Sequence, residues 1–269
     1  MSSKRVAIIG YGHLGKFLAT KLSENESFEV VRIFNRTGGD NVLSLEEISF
    51  ETLKDVDLVV EVAHPAIISK YAPILLEHCD LFIGSPTCLA NAEVLSKVEE
   101  LAKQYKRRVL IPSGAFWGAN DIQKMADLGT LKGLSVTMIK HPSSFKLESP
   151  LKEINEKAKE NATEPTVLYE GSVRGLCPLA PNNVNTMAGA AIAAKNLGFD
   201  GVTARLVSDP NMRDWHIVEV VVQADDGFEV KTIRKNPAKP GAVTGQFTYF
   251  SFLASIKESL FKPIGLQIC

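Results

Sequence analysis

The hexapeptide GYGHLG at residues 10–15 constrains the fold of this 269-residue chain more than any other segment. It directly follows the apolar run at residues 6–9 and opens a segment with apolar residues at helical spacing. In a strand–turn–helix unit the first glycine permits a tight turn, the second lets the backbone approach a pyrophosphate, and the third allows close helix–strand packing. In this setting the pattern predicts a dinucleotide site formed by Gly10, Tyr11, Gly12, His13, Leu14 and Gly15.

A purely structural glycine turn at residues 10–15 is the less favoured interpretation, because strand-like and helix-like segments alternate over the first part of the chain. Strands separated by helix-length segments predict right-handed crossovers and a parallel sheet, as in the Rossmann fold. The expected strands are residues 6–9, 28–34, 57–63, 80–84 and 108–111, and the expected helices are residues 13–23, 66–78 and 91–105.

The pattern changes after about residue 118, where several segments alternate in the manner of half-buried antiparallel strands. The sequence therefore predicts an α/β protein: a doubly wound parallel Rossmann domain at residues 1–118 and an α+β domain with a mixed or antiparallel sheet at residues 119–245. A helix at residues 246–262 is expected to pack back on the first domain. The second-domain strands are expected at residues 134–140, 167–171, 202–208, 217–223 and 228–233, with a helix at 182–196 and an exposed charged segment at 151–161.

Charge and cysteine content exclude several classes of function. Thirty basic residues against thirty-one acidic ones give a formal charge of −1, so nucleic-acid and membrane-surface binding are not expected. The four cysteines are scattered without a CxxC pair and the histidines lie far apart, so no metal site is expected. No stretch approaches the ~20 apolar residues of a membrane span, and a cytoplasmic location is expected.

The end of the second strand bears on the choice of cofactor. NAD-specific folds usually carry an acidic residue there, which accepts the ribose hydroxyls. This chain has Asn35 and Arg36 instead. The Arg36 guanidinium is suited to a 2′-phosphate, which favours NADP or dual use of NAD and NADP, although a solvated surface arginine is the alternative.

Three further loops follow predicted parallel strands at the edge where such sheets bind ligands. They contain Ala63 and His64, then Ser85, then the small-residue segment at 112–118. Taken alone, His64 fits a surface or helix-start histidine better than a catalytic group. The amide-rich segment at 180–185 is typical of a site rim, although one of its asparagines is explained as a helix N-cap.

These segments together give the chain a resemblance to the L-aspartate dehydrogenases that supply iminoaspartate to NAD biosynthesis, and in particular to their animal homologues. The matching motifs run the length of the chain: GYGHLG at 10–15, VVEVAHP at 59–65, IPSGAFWG at 111–118, LYEGSVR at 168–174, APNNVN at 180–185 and SDP…WHIVEV at 208–220.

The resemblance implies roles for individual residues. The catalytic histidine of the family falls on His216, the nicotinamide-contacting alanine on Ala115, and the amide of the Asn-x-Asn segment on Asn185. The chain departs from the family where it has His141 in place of a first proline after Lys140, and its match to the later Asn-Pro-Lys-Thr-Ser loop is loose. Candidate groups for the substrate are Asn183, Lys140, Arg174 and the basic segment 231–239, although basic residues of this kind are more often solvated surface charges.

The implied activity is NAD(P)-dependent oxidative deamination of L-aspartate, in which the α-hydrogen leaves as hydride and the resulting imine hydrolyses to oxaloacetate and ammonia. A histidine suits the accompanying proton transfer, because its usual pKa lies near working pH. One alternative is a dehydrogenase or reductase of a related amino-acid intermediate, similar to homoserine dehydrogenase or dihydrodipicolinate reductase. The other is a cofactor-binding protein without catalysis. A homodimer is expected from the architecture.

Overall fold

The structure is a computed structural model that describes residues 3–161 and 163–269, and its contacts divide the chain into two compact units. The first unit extends to Pro112 and includes Phe252–Gln267 and Cys269, and the second comprises Ser113–Ser251 with Ile268. The strands are β1 Lys4–Ile9, β2 Phe28–Asn35, β3 Leu43–Ser44, β4 Leu58–Glu61, β5 Asp80–Ile83, β6 Arg108–Ile111, β7 Gly133–Lys140, β8 Thr166–Ser172, β9 Thr203–Ser208, β10 Trp215–Gln223, β11 Glu229–Pro237 and β12 Gly265–Ile268. The helices are α1 His13–Ser23, α2 Phe50–Leu53, α3 Ala66–His78, α4 Ala92–Gln104, α5 Ala119–Asp127, α6 Leu151–Asn161, α7 Val173–Leu176, α8 Asn185–Ala193, α9 Gly198–Gly201 and α10 Gln246–Glu258.

The first unit is built on the parallel sheet that the sequence predicts. Among the described residues its strand order is β12-β6-β5-β4-β1-β2-β3, and β1 pairs in parallel with both β2 and β4. The strand order reverses at β1, so a crevice forms beyond the carboxyl ends of β1 and β4, where open α/β sheets bind ligands. The short central strands read as apolar runs because both faces of the sheet are covered. Their core includes Val6, Ile8, Leu58, Val60, Phe82 and Leu110.

The second unit contains a mixed sheet in the order β11-β10-β7-β9-β8 over the described residues. Strand β10 runs antiparallel to β7 and β11, and β8 runs antiparallel to β9. The sheet is mixed, one of the two arrangements that the sequence predicts, because β7 and β9 run parallel. The chain between them contains α6, β8 and α7 to α9, which is the long crossover that a parallel pair requires.

Three elements of the second unit differ in extent from the sequence expectation. The charged segment at 151–161 is helix α6, which buries Leu151, Asn155 and Ala158 at helical spacing. Helix α8 begins at Asn185 rather than residue 182, because the preceding residues form a turn in which the Asn183 N–H bonds the Ala180 carbonyl. Strand β11 continues to Pro237, since it pairs along its whole length with β10.

No helix within residues 3–161 and 163–269 is long and apolar enough to cross a membrane. The domain limits expected at residues 118 and 245 stay predictions.

Candidate functional site

The turn after β1 needs glycine at two positions for reasons internal to the fold. Gly10 has φ +107°, and a Cβ there would lie 2.9 Å from the Cβ of Ala63. Its N–H donates to the Phe34 carbonyl at 2.8 Å, which ties the turn to β2. A Cβ at Gly15 would overlap the Gly10 carbonyl oxygen. The first and third glycines therefore allow the turn and the close packing of α1 on β1.

Gly12 differs, because the fold does not fill the space beside it. It is exposed, and no heavy atom of the described chain lies within 4 Å of a Cβ built there. Gly12 is the N-cap of α1, whose first turn has no acidic residue and no side-chain cap. The N–H groups at the start of a helix have no intrahelical acceptor and attract anions. This open cradle fits the pyrophosphate of a dinucleotide.

The remaining residues of the hexapeptide line the same turn. Tyr11 is half-buried with the Lys16 ammonium 5.4 Å from its ring centroid, His13 is exposed, and Leu14 packs against the core cluster of the first unit. Asn35 ends β2 in register with Ser44 of β3. Arg36 follows it, exposed and without an ion pair to any residue that the structure describes. Its guanidinium is accessible to a phosphate.

The loops after β4 and β5 are joined by a residue that the sequence reasoning missed. Glu61, the last residue of β4, is 0% exposed. Its Oε1 accepts hydrogen bonds from the N–H groups of Ala63 at 2.7 Å and His64 at 2.9 Å, and from the Ser85 hydroxyl at 3.1 Å. Its Oε2 accepts from the Ser85 N–H at 3.1 Å. The candidates Ala63, His64 and Ser85 are therefore brought together by one carboxylate.

The loop that carries Ala115 begins the second unit. Gly114 has φ +58°, and the Phe116 N–H bonds the Ser113 carbonyl at 2.8 Å to form a turn that leaves Ala115 7% exposed. The Gly114 carbonyl accepts from the Arg234 guanidinium and the Ser251 hydroxyl, both at 2.8 Å. The backbone conformation of this loop is thus fixed by charged and polar donors.

His216 lies in β10 opposite Asn236 of β11 and is 4% exposed. Its Nε2 is buried and has no hydrogen-bond partner among the described residues. Burial and the nearby Lys140 ammonium lower its pKa to about 3, against a hydrogen bond with the Ala242 backbone that raises it. The imidazole is therefore neutral near pH 7, with one ring nitrogen available to a ligand.

Lys140 ends β7 and is 3% exposed. Its Nζ donates to the Val243 carbonyl at 3.1 Å and lies 5.9 Å from the Phe145 ring centroid, and no carboxylate pairs with it in the described chain. Burial lowers its pKa from 10.5 to about 8, so it is protonated at neutral pH. A buried ammonium without a paired anion is suited to binding a carboxylate.

The other candidates have contacts of their own. Both polar atoms of the Asn183 amide are used, its Oδ1 by the Lys146 N–H at 2.8 Å and its Nδ2 by the Ser144 carbonyl at 3.3 Å. Arg174 makes a two-point ion pair with Asp200, at 2.7 and 2.9 Å. These contacts do not favour the substrate roles expected for Asn183 and Arg174, which stay predictions. By contrast, the buried Oδ1 of Asn185 has no partner among the described residues.

Two residues of the basic segment 231–239 support these groups through contacts that the sequence alone does not reveal. Arg234 bonds the Asn236 amide oxygen at 2.8 Å as well as Gly114, and the Asn236 amide reaches the His216 carbonyl at 3.5 Å. Only Glu61 had a visible signal, a charged residue closing an otherwise apolar strand. No group of three or more metal-ligating side chains occurs in the part of the chain that the structure describes.

Two family models cover most of the sequence. The model described as aspartate dehydrogenase, C-terminal, matches residues 121–259, and the model described as homoserine dehydrogenase, NAD binding domain, matches residues 10–112. The second match assigns a nicotinamide dinucleotide to the first unit, so the cofactor is NAD or NADP.

Curated relatives agree with these matches. The chain is 47% identical over 267 residues to an aspartate dehydrogenase domain-containing protein of Xenopus tropicalis, covering 94% of this chain and 93% of the relative. It is 30% identical over 257 residues to an L-aspartate dehydrogenase of Thermotoga maritima, covering 94% and 96%. The crystal structure of a Thermotoga maritima aspartate dehydrogenase matches with a TM-score of 0.72 and 25% identity, covering 96% and 95%. The chain belongs to the aspartate dehydrogenase family of NAD(P)-dependent amino-acid dehydrogenases.

Proposed function

We propose that the protein oxidises L-aspartate with NAD or NADP. The Cα–H bond breaks and its hydride passes to the cofactor, the nitrogen loses a proton, and the resulting iminoaspartate takes up water to give oxaloacetate and ammonia. The observation that carries this proposal is the pair of buried, incompletely bonded groups at the strand ends of the second unit, His216 Nε2 and Lys140 Nζ. A substrate with an amine and carboxylates supplies the partners that these groups lack.

Lys140 is assigned to a substrate carboxylate. Its ammonium is protonated below about pH 8, where the aspartate side chain and α-carboxyl are both ionised. A charge-assisted bond made in a buried site is stronger than one made in water. The carboxylate also neutralises the charge that disfavours protonation of the nearby imidazole.

His216 is assigned to proton transfer at the substrate nitrogen. Amine oxidation requires the nitrogen to be unprotonated when hydride leaves, and a neutral imidazole accepts that proton. Before substrate binds, burial and the Lys140 charge lower the pKa of His216 to about 3. A bound dicarboxylate places negative charge in the site, which raises this pKa toward the working range.

A substrate screen tests the activity. Purified protein is mixed with NAD or NADP and each amino acid in turn, and reduced cofactor is followed by absorbance, with oxaloacetate plus ammonia and reduced cofactor as the reverse assay. L-Aspartate should exceed L-glutamate, L-homoserine and L-alanine in kcat/KM. A preference for another amino-acid intermediate would support the dehydrogenase alternative, and cofactor binding without turnover would support the non-catalytic one.

The His216 assignment predicts a kinetic signature. His216→Ala should lower kcat with L-aspartate by roughly 10²–10⁴-fold, because general acid–base groups contribute about that much, and leave the cofactor Kd unchanged. The Asn236 amide bonds the backbone carbonyl of His216, which alanine keeps, so the backbone pairing with β11 should survive the substitution. Wild-type-like turnover in the folded variant would remove His216 from the mechanism.

The homodimer and the cytoplasmic location stay proposals. Strand β11 is an edge of its sheet with Ile233 55% exposed, a surface that suits pairing with a second copy. Light scattering on the purified protein measures the mass in solution.

A further inference from the structure

Glu61 is a fully buried acid that has no part in the proposed deamination. Its carboxylate receives four hydrogen bonds, three from backbone N–H groups and one from the Ser85 hydroxyl. The ionised carboxylate accepts from all four groups, whereas a protonated carboxyl group must itself donate, and among these groups only the Ser85 hydroxyl can accept its hydrogen. The geometry therefore favours the ionised carboxylate over the carboxylic acid.

The two segments that Glu61 joins lie at the dinucleotide turn. A Cβ at Gly10 would come within 2.9 Å of both Ala63 and the Val62 backbone, so the loop after β4 contacts the glycine turn directly. Gly84 and Ser85 begin the loop after β5, and a Cβ at Gly84 would lie 2.5 Å from the Glu61 carbonyl oxygen. Both loops thus pack closely at the carboxyl ends of β1, β4 and β5.

The residues in register with Glu61 on the two adjacent strands are apolar. In register on the adjacent strands lie Ile9 of β1 and Ile83 of β5, and Phe252 of α10 lies beside Gly84. No lysine or arginine in the described chain forms an ion pair with Glu61.

The titratable groups that follow most closely along the chain are His64, three residues after Glu61, and Cys88, three residues after Ser85. The exposed His64 accepts the Ala66 N–H through its Nδ1, and the Cys88 thiol donates to the Ser85 carbonyl. The charged residues Lys4 and Asp80 lie at the opposite ends of β1 and β5.

We propose that the Glu61 carboxylate is a positioning residue of the dinucleotide site, which fixes the loops after β4 and β5 beside the Gly10 turn in the arrangement that binds the cofactor. The role acts through the backbone of Ala63 and His64 and through Ser85. It concerns cofactor binding alone, so it holds whichever amino acid the protein oxidises.

A pH dependence of cofactor affinity follows from this role. Burial, the largest effect, raises the pKa of Glu61 to about 7, while the hydrogen bonds from Ala63, Ser85 and His64 lower it. If the cofactor binds the ionised arrangement, protonation competes with binding below pH 7. Linkage then makes the cofactor Kd about tenfold larger at pH 6 than at pH 8.

Calorimetric titration with NADH, without any amino acid, tests the proposal. NADH avoids the 2′-phosphate of NADPH, since phosphate esters themselves titrate near pH 6. In the wild type the Kd should rise about tenfold from pH 8 to pH 6. Glu61→Gln should bind about tenfold more weakly than the wild type at pH 8 and lose this pH dependence, because its amide cannot accept from all four donors.

Asp57→Asn is the matched control. Asp57 immediately precedes β4, and its carboxylate accepts the Arg5 N–H at 2.7 Å, so the same chemical change is made at the opposite end of the strand. Its NADH affinity and pH profile should match the wild type. His64→Gln should keep the pH profile, which separates Glu61 from the nearby imidazole.

Ser85→Ala keeps the test decisive if Glu61→Gln does not fold. Loss of the Ser85 hydroxyl removes a bond that lowers the pKa of Glu61, so the midpoint of the NADH profile should move to higher pH. A wild-type profile that is flat between pH 6 and 8, or a folded Glu61→Gln that binds NADH like the wild type at pH 8, would overturn the proposal. Neither result depends on aspartate being the substrate.

Discussion

Replacing Gly12 by valine tests cofactor binding at the glycine turn with little effect on folding. No heavy atom of the described chain lies within 4 Å of a Cβ at this position, and its φ of −78° and ψ of −162° are allowed to any L-residue. The fold therefore accepts the side chain. The space that it fills is the space through which a pyrophosphate reaches the N–H groups of α1.

The two effects of Gly12→Val differ in size. Valine is a poorer N-cap than glycine, which costs about 1 kcal/mol of unfolding free energy and a Tm shift of about 2–4 °C for a chain of this length. Displacing the pyrophosphate removes at least two hydrogen bonds to a charged group, worth roughly 1.5 kcal/mol or more each. The two lost hydrogen bonds together weaken cofactor binding by about 3 kcal/mol, which corresponds to a Kd increase of about 150-fold.

NADH titration and thermal unfolding measure both effects on the same sample. Gly12→Ala should fall between the wild type and Gly12→Val in affinity, because its side chain intrudes less. Gly15→Ala is the opposite case, since its Cβ overlaps the Gly10 carbonyl and should unfold or destabilise the protein strongly. A well-folded Gly12→Val that binds NADH within about threefold of the wild type would refute the placement of the pyrophosphate.

Two further predictions concern charges. Arg36→Ala should weaken NADP by about tenfold and NAD little, because an exposed guanidinium bonds the 2′-phosphate alone, and equal changes in the two Kd values would contradict this. Lys140→Met should raise the KM for L-aspartate by tenfold or more. In the wild type the KM should also increase above about pH 8, because Lys140, with its pKa of about 8, loses its proton there, and the variant should lack this increase. Lys132→Met is its control, because Lys132 precedes the same strand and pairs with Asp225 at the surface, and it should leave the KM unchanged.

The parallel unit was predictable in detail because local signals agree with the fold. Helices α1 and α3 and strand β6 have the limits that apolar spacing and flanking residues predict. Each central strand is short and apolar, and a helix-length segment separates it from the next, which leaves few alternative topologies. The contribution of β12 was not predictable, since that strand joins β6 from the far end of the chain.

The second unit was less predictable because its pairing depends on long connections. Strand β8 lies at one edge of the sheet and pairs with β9. The parallel pairing of β7 with β9 depends on long-range contacts that no local sequence pattern encodes. The sequence predicts only an exposed charged segment at helix α6, because a single apolar stripe with one buried asparagine gives a weak periodicity. Its Asn155 bonds the Ser208 hydroxyl at 2.8 Å and the Pro142 carbonyl at 3.0 Å, a pairing visible only in three dimensions.

The residues of the candidate site were predictable where they belong to a sequence motif. They were not predictable where their properties depend on burial in the folded protein. Spacing alone gave no reason to choose His216 over another core histidine, and the family resemblance supplied that choice. For Lys140 the structure shows the physical effect of burial directly. Lowering its pKa from 10.5 to about 8 corresponds to a loss of roughly 3 kcal/mol in the free energy of unfolding at neutral pH. Lys140 binds its proton more tightly in the unfolded chain than in the folded one. Its contribution to the free energy of unfolding therefore becomes less unfavourable only as the pH rises from about 8 to 10.5.

That penalty explains why binding and stability are expected to diverge at Lys140. A net stability of 5–15 kcal/mol is typical of whole proteins, so a buried ammonium without a carboxylate is a large local cost. Lys140→Met removes the charge but leaves the Val243 carbonyl without its donor, a loss of about 1–3 kcal/mol. The variant should therefore unfold at the same or a higher temperature at pH 7 while binding aspartate more weakly. A variant that loses both stability and affinity would instead show that Lys140 supports the fold.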